Sequence, residues 1–260
     1  MFLQINPIAF SLGPLTVHWY GIFIALAFLA GLIVASHEAK RNNLNPEIII
    51  DMILWMFPFI IIGLRLYFVI FNWDYYSQNP SQIFAIWGGG LAIHGALFAC
   101  ILVAIVFVKK KNISFWLLAD CTAPGIILGQ AIGRWGNFIN QEAYGGIVSR
   151  GFLENLFIPE WIIEQMYING NYHHPTFLYE SIWNLLIFIF LFFFWKKQDF
   201  LKRGDVFLTY FALYSVGRFF IEGLRTDSLM LGDIRVAQLV SVILIIVSIN
   251  ISIYKHLETE

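Results

Sequence analysis

Residues 120–145 read DCTAPGIILGQAIGRWGNFINQEAYG. From Cys121 to Ile132 the stretch is mainly apolar, and then, with no charged linker, it brings Arg134, Asn137, Asn140, Gln141 and Glu142 together among three glycines. The chain around it is 59% hydrophobic, 18% aromatic and only 13% charged. A soluble domain carries roughly 45–50% apolar and about 25% charged residues. The stretch therefore reads as a membrane span with a polar end, and the whole chain, at a mean hydropathy of +0.71, as a polytopic membrane protein.

A spanning helix needs about 20 mostly apolar residues. Seven segments qualify: Trp19–Ser36, Ile48–Phe71, Gly90–Val108, Phe115–Ile132, Phe177–Trp195, Val206–Ile221 and Val236–Tyr254. The expected fold is all-α, one integral membrane domain without repeats or linkers. Pro124 and its neighbouring glycines leave open a partly re-entrant fourth span. Lys40, Lys109–Lys111, Lys196, Lys197, Lys202 and Lys255 all fall on one side of this arrangement. By the positive-inside rule that side is cytoplasmic, so the N-terminus faces out and the C-terminus in. The outer segment at about 141–175 is mildly acidic and aromatic and is expected to form a small cap or an interfacial helix around Phe157–Tyr167.

Against that frame the net charge of −1 says little about partners, and no nucleic-acid partner is expected. Cys100 and Cys121 lie in apolar runs without metal-ligand spacing, so neither a disulfide nor a metal is expected. The N-terminal stretch MFLQINPIAFSLGPLTV has no basic residue, unlike a cleaved signal peptide.

Charge inside the membrane carries the functional signal. Arg65 and Arg218 fall within spans and Arg134 closes one. A charge near the bilayer centre costs about 2.5–3.5 kcal/mol on insertion scales, so such groups face the bundle interior. Guanidinium also grips phosphate or carboxylate through two parallel hydrogen bonds. Arg65 has no acidic residue within a turn, and its role is open between structure and site. Arg218 and Glu222, four apart with Tyr214 one turn earlier, form either a self-paired stripe or a site wall. His94 follows a triple glycine in GGGLAIHGAL (Gly88–Leu97), while His173 and His174 read as loop before Pro175. In depth, His94, Arg134, Asn137, Glu142, Arg218, Glu222 and Arg225 converge on the outer half of the membrane. An arginine-lined cavity there suits an anionic phospholipid head group. A transporter or binding protein for an anionic lipid or solute is the alternative.

GRWGNFINQEAYG (Gly133–Gly145) resembles the signature of prolipoprotein diacylglyceryl transferases, which are bacterial membrane enzymes. The resemblance extends to LTVHWYGI (Leu15–Ile22), GGGLAIHGAL, HPTFLYE (His174–Glu180) and YSVGRFFIEGLRTDSL (Tyr214–Leu229), in the family's order. Ala96 stands where the family commonly has a second glycine after the histidine. The resemblance implies transfer of the diacylglyceryl group of phosphatidylglycerol to the thiol of a lipobox cysteine in a prolipoprotein signal peptide. Glycerol phosphate would be released, and no cofactor is needed. It also implies a seven-span, N-out protein of the bacterial cell membrane with its site toward the outer face. Carried over by motif, the site residues are Tyr20, His94, Arg134, Asn137, Asn140, Glu142, Gly145, Tyr214, Arg218, Glu222 and Arg225.

In that chemistry Arg134 and Arg218 would hold the phosphate, with Arg225 assisting. Asn137 and Asn140 would hydrogen-bond the glycerol head group or fix the loop, while Glu142 and Glu222 would orient the arginines. The thiol proton goes either to neutral His94 as general base, or into an arginine-rich pocket that lowers the thiol pKa while His94 orients substrate.

Overall fold

A computed structural model describes residues 5–13 and 15–257. The first four residues of the N-terminal stretch that lacks basic side chains lie outside the described residues. A hairpin of β1 (Ile8–Leu12) and β2 (Leu15–His18) leads directly into α1 (Trp19–Arg41). Then come α2 (Glu47–Phe71), the short α3 (Trp73–Gln78), α4 (Ile93–Lys111) and α5 (Phe115–Ile139). A small region follows with β3 (Ile147–Val148), α6 (Arg150–Asn155), α7 (Glu160–Gln165), β4 (Tyr167–Ile168) and β5 (Asn171–His173). The chain closes with α8 (Thr176–Ile189), α9 (Asp205–Leu224), the hairpin of β6 (Met230–Leu231) and β7 (Ile234–Arg235), and α10 (Val236–Leu257).

Among the described residues, six helices are long and apolar enough to cross a membrane: α1, α2, α4, α5, α8 with its extension to Phe194, and α10. The chain is thus a polytopic helical membrane protein. The segment expected as the sixth span is the unbroken helix α9, 20 residues long. It falls outside the six because Tyr210, Tyr214, Arg218 and Glu222 dilute its apolar content.

The fold divides into two compact units. One joins the residues up to Ala35 with those from Asp120 on, and the other is Ser36–Ala119. In the first, α5 is a continuous helix in spite of Pro124, so the segment is not re-entrant. A proline inside a helix removes one hydrogen bond, a loss that neighbouring helices offset in membrane proteins. Here α1 comes close: a Cβ on Gly125 would lie 2.4 Å from the carbonyl oxygen of Gly31, and one on Gly129 would lie 3.2 Å from that of Ala27. Small residues four apart on both helices let the backbones meet, as is usual where lipid gives no hydrophobic drive between helices. α5 also runs about two turns past the expected end at Ile132, so Arg134, Gly136 and Asn137 are helical and the glycines there are not turn residues.

α8 and α9 pack with the Trp183 ring against Gly217, and the indole Nε1–H donates to the carbonyl of Leu213 at 2.9 Å. At the other end of α9, Asp120 of α5 accepts the backbone N–H groups of Gly204 and Phe207, filling bonds that a helix start leaves open. The segment expected as a cap holds α6, α7 and an antiparallel three-stranded sheet in the order β3-β5-β4. Its core gathers Leu153, Ile158, Ile162, Ile163 and Met166 around Phe138 and Phe177. Arg150 meets Glu154, Glu160 and Glu164. The N-terminal segment is tied in where Gln165 Oε1 accepts the backbone N–H of Ile5 at 2.9 Å.

In the second unit, α2 and α4 meet at Gly63 and Gly95, with no room for a side chain at either. Arg65, buried in α2, donates from Nε to Ile83, from Nη1 to Gly89 and Gly90, and from Nη2 to Gln82, all backbone carbonyls, at 2.6–2.9 Å. Its guanidinium holds the loop between α3 and α4, which gives Arg65 a structural place.

Candidate functional site

Three helices of the first unit each bring charged groups to one place. Arg134 lies near the end of α5, Glu180 in the second turn of α8, and Arg218 with Glu222 near the end of α9. Glu180 Oε1 forms an ion pair with Arg134 Nη2, while its Oε2 accepts from Arg218 Nη1 at 3.3 Å. Arg218 Nη2 in turn lies 2.5 Å from Glu222 Oε2. The result is a row of alternating sign: Arg134, Glu180, Arg218, Glu222. The two carboxylate side chains are 3% exposed, but Arg134 retains 21% and Arg218 18%. The carboxylates are thus buried, while both arginine side chains keep part of their surface exposed.

Around the row, Asn137 links two site residues. Its Nδ2 donates to Glu142 Oε1 at 2.9 Å, and its Oδ1 lies 3.5 Å from Arg134 Nη1, a long contact. Glu142 therefore reaches Arg134 through Asn137, not directly. Tyr214 lies close enough to Arg134, Arg218 and Glu180 to interact with their charges. The Tyr20 ring packs on Gly136, where an added Cβ would come within 2.7 Å of Cδ2. Asn140 follows the helix end, half-buried, with its backbone N–H donating to Gly136.

Gly145 joins three segments. Its N–H donates to the carbonyl of His174, its carbonyl oxygen lies 2.8 Å from His173 Nδ1, and it forms an antiparallel bridge with Arg225. A Cβ there would lie 2.7 Å from His174 Cβ and 2.9 Å from the carbonyl oxygen of Leu224. No larger residue fits without moving backbone. Arg225, just past the end of α9, forms a fork to Asp227 at 2.9 and 2.7 Å, which holds the Asp227 carboxyl below its usual range. Burial pushes the His174 imidazole down, so it is neutral near pH 7, about half a unit above the ordinary histidine value.

His94 belongs to the second unit, in the first turn of α4, with its ring stacked on Tyr67 at 5.6 Å. The other ten candidate residues lie in the first unit. Glu180 was not among the candidates, although it is the only carboxylate in the segment expected as the fifth span. Asking where Arg134 and Arg218 find their counter-charge would have pointed to it. His173, read as loop, positions the Gly145 carbonyl. Among the described residues, no cluster of three or more His, Cys, Asp or Glu side chains has the geometry to hold a metal ion.

A family model described as prolipoprotein diacylglyceryl transferase matches residues 7–254. A phosphatidylglycerol–prolipoprotein diacylglyceryl transferase of Bacillus velezensis is 54% identical over 98% of this chain and 93% of its own length. The protein of that name in Lysinibacillus sphaericus is 52% identical over 100% of this chain and 96% of its own. In Geobacillus kaustophilus the corresponding values are 55%, 94% and 90%.

Proposed function

The chain belongs to the prolipoprotein diacylglyceryl transferase family, and on that premise we propose how its residues carry the transfer. It moves the diacylglyceryl group of phosphatidylglycerol to a prolipoprotein, the two substrates that its relatives' names give. The acceptor is the thiol of the lipobox cysteine. Sulfur displaces the phosphate oxygen at the glycerol carbon, forming a thioether and releasing glycerol phosphate. Seven spans, with α9 as the sixth, put the N-terminus and the site on the outer face of the bacterial cell membrane, because every lysine then falls inside.

The observation that carries this reading is the alternating row. An arginine held from behind by a buried carboxylate is fixed in orientation before substrate arrives, and its free N–H groups point where a phosphate can sit. Donors fixed in advance meet the charge that builds on a departing group without reorganising, which is the largest single source of catalysis in many enzymes. Arg134 and Arg218 take the phosphate, and Glu180 and Glu222 hold them. Asn137, tied to Glu142, and Tyr20, packed on Gly136, shape the space beside Arg134, where the glycerol head group lies with Asn140. Tyr214 stands behind the row. Gly145 and Arg225 anchor the outer loop at the mouth, and Arg225 assists with charge. Holding thiol and carbon in line contributes through orientation. His94 is the proposed acceptor of the thiol proton, or else orients substrate while the arginines favour the thiolate. No step calls for a cofactor.

Incubating the purified protein with radiolabelled phosphatidylglycerol and a lipobox peptide tests this directly. Arg134→Ala and Arg218→Ala are expected to insert and to abolish labelling of the peptide. Near-normal transfer by either variant removes that arginine from its role, and no labelling by the unaltered protein sinks the transferase reading in favour of transport or binding.

A further inference from the structure

The backbone around His94 is fixed from several sides, its side chain from one. In the second unit the first turn of α4 is tied to α2. The N–H of Ala92 donates to the carbonyl of Leu64 at 3.0 Å, and just before it Arg65 holds the carbonyls of Gly89 and Gly90. Gly95 lies so close to α2 that a Cβ there would come within 2.7 Å of Tyr67 Cβ. The main chain on both sides of His94 therefore has little freedom. Its imidazole is exposed, and among the described residues no hydrogen bond or ion pair reaches either ring nitrogen.

What does reach the ring is Tyr67, stacked on it with centroids 5.6 Å apart and planes inclined by 28°. Tyr67, half-buried, is itself held by two further near-parallel rings. Phe71, one turn on in α2, lies at 4.4 Å, and Phe98, one turn past His94 in α4, at 6.3 Å. A histidine that handles a proton is ordinarily oriented by a hydrogen bond to its second nitrogen. An exposed side chain without such a partner changes rotamer within nanoseconds, whereas proton transfer needs its heavy atoms within about 2.6–3.2 Å of each other. Stacking answers the same need differently. It restrains the plane of the ring and spends neither nitrogen, where a carboxylate or carbonyl partner would occupy one.

We propose that Tyr67 is the positioning residue of His94, holding the imidazole by its face so that both nitrogens remain available to the substrates. The reading rests on the part of His94 in the proposed transfer and deepens it: as proton acceptor or as substrate orienter, the ring has to keep one plane. The ring of Tyr67 makes the contact, not its hydroxyl, so phenylalanine can replace it and an aliphatic residue cannot. An aromatic pair of this kind is worth about twofold to tenfold in the balance between ordered and disordered rotamers.

The test uses the full chain in detergent with its six histidines isotopically labelled at Cε1 for magnetic resonance. The signal lost in His94→Gln is that of His94. In Tyr67→Leu this signal is expected to shift, because the neighbouring ring no longer shields it, while the other histidine signals stay in place and report an intact fold. With phosphatidylglycerol and a lipobox peptide, kcat of Tyr67→Leu should fall about threefold to tenfold at unchanged KM for the lipid. Tyr67→Phe should match the unaltered protein in both measurements. Tyr67→Met, also without a ring, is read in the same way if the leucine variant does not fold. An unmoved His94 signal in the ringless variant, an unchanged kcat, a loss carried by KM, or a Tyr67→Phe protein as slow as Tyr67→Leu overturns the inference and leaves the transferase reading intact. Full kcat in His94→Gln removes His94 from the reaction, and the inference falls together with that part of the proposed transfer.

Discussion

Arg65 and Arg218 are both arginines of membrane helices, and the chain accommodates them in contrasting ways. Arg65 directs its N–H groups to four backbone carbonyls of one loop, with Tyr76 stacked at 5.1 Å and, among the described residues, no carboxylate paired with it. Arg218 rests on two buried carboxylates and keeps 18% of its side chain exposed. A guanidinium whose donors are spent on carbonyls is a clamp. One that is neutralised from behind, with donors left over, is prepared for a second anion. Counting donors and counter-charges separates the two, where hydropathy sees only an arginine in an apolar run.

The contrast breaks most severely at Glu180. Replacing it with leucine leaves Arg134 and Arg218 facing each other across a buried gap, and removing one partner of a buried pair costs about 3–5 kcal/mol. Glu180→Leu should lower transfer at least about a hundredfold, since one such donor is worth 10²–10³ in rate elsewhere. Glu180→Gln, similar in shape, should lose less. A Glu180→Leu protein with near-normal kcat would mean that the row does not act as a unit.

Arg65 should behave differently. Arg65→Lys keeps the charge but loses the planar fork, leaving at least one carbonyl of the loop without a donor at a cost of about 1–3 kcal/mol. The expected result is a lower thermal midpoint and faster proteolysis between residues 82 and 90, with KM for phosphatidylglycerol unchanged. A change in KM at unaltered stability would move Arg65 from clamp to binding group.

Gly145→Ala asks whether the outer loop holds the row in register. Overpacking of this kind costs about 1–3 kcal/mol, and kcat should fall severalfold while the row's own groups are intact. An unchanged rate would show the loop to be independent of the site.

The smallest effect concerns acid. The hydrogen bond from Arg150 holds the Glu164 carboxyl below its ordinary range, so Glu164 contributes full stability at neutral pH and loses it as the pH falls through that lowered value. Burial holds the His174 imidazole down, so protonating it in acid also opposes folding. Both act in one direction. Hydrogen-exchange protection over residues 147–173, corrected for the pH dependence of intrinsic exchange, should fall between neutrality and about pH 4, and a cap that tightens in acid would contradict the pairing.

Much of this was legible in the sequence. The apolar segments gave helices where helices are found, and the Gly133–Gly145 stretch pointed to Arg134. The Arg218–Glu222 spacing gave a pair that does form. Glu180 was hidden because a single carboxylate at the start of an apolar helix has no partner within a turn, so its meaning depends on contacts across more than 35 residues. The hairpin of β1 and β2 was missed for a different reason: Ile8–Leu12 is apolar on nearly every residue, which blurs the alternation that marks a strand. The longer α5 escaped notice because glycines suggest a stop when one of them, Gly136, in fact makes room for the Tyr20 ring.

The seam between α1 and α5 also has a consequence for how the protein is made. Gly31 meets Gly125, about a hundred residues later in the chain. At a synthesis rate of about 5–20 residues per second, α1 waits on the order of ten seconds in the membrane before its partner emerges. During that interval its small-residue face is open to any passing helix with a similar groove. The fold of the arginine-bearing helix thus depends on an early span that stays uncommitted until the ribosome has delivered the next three.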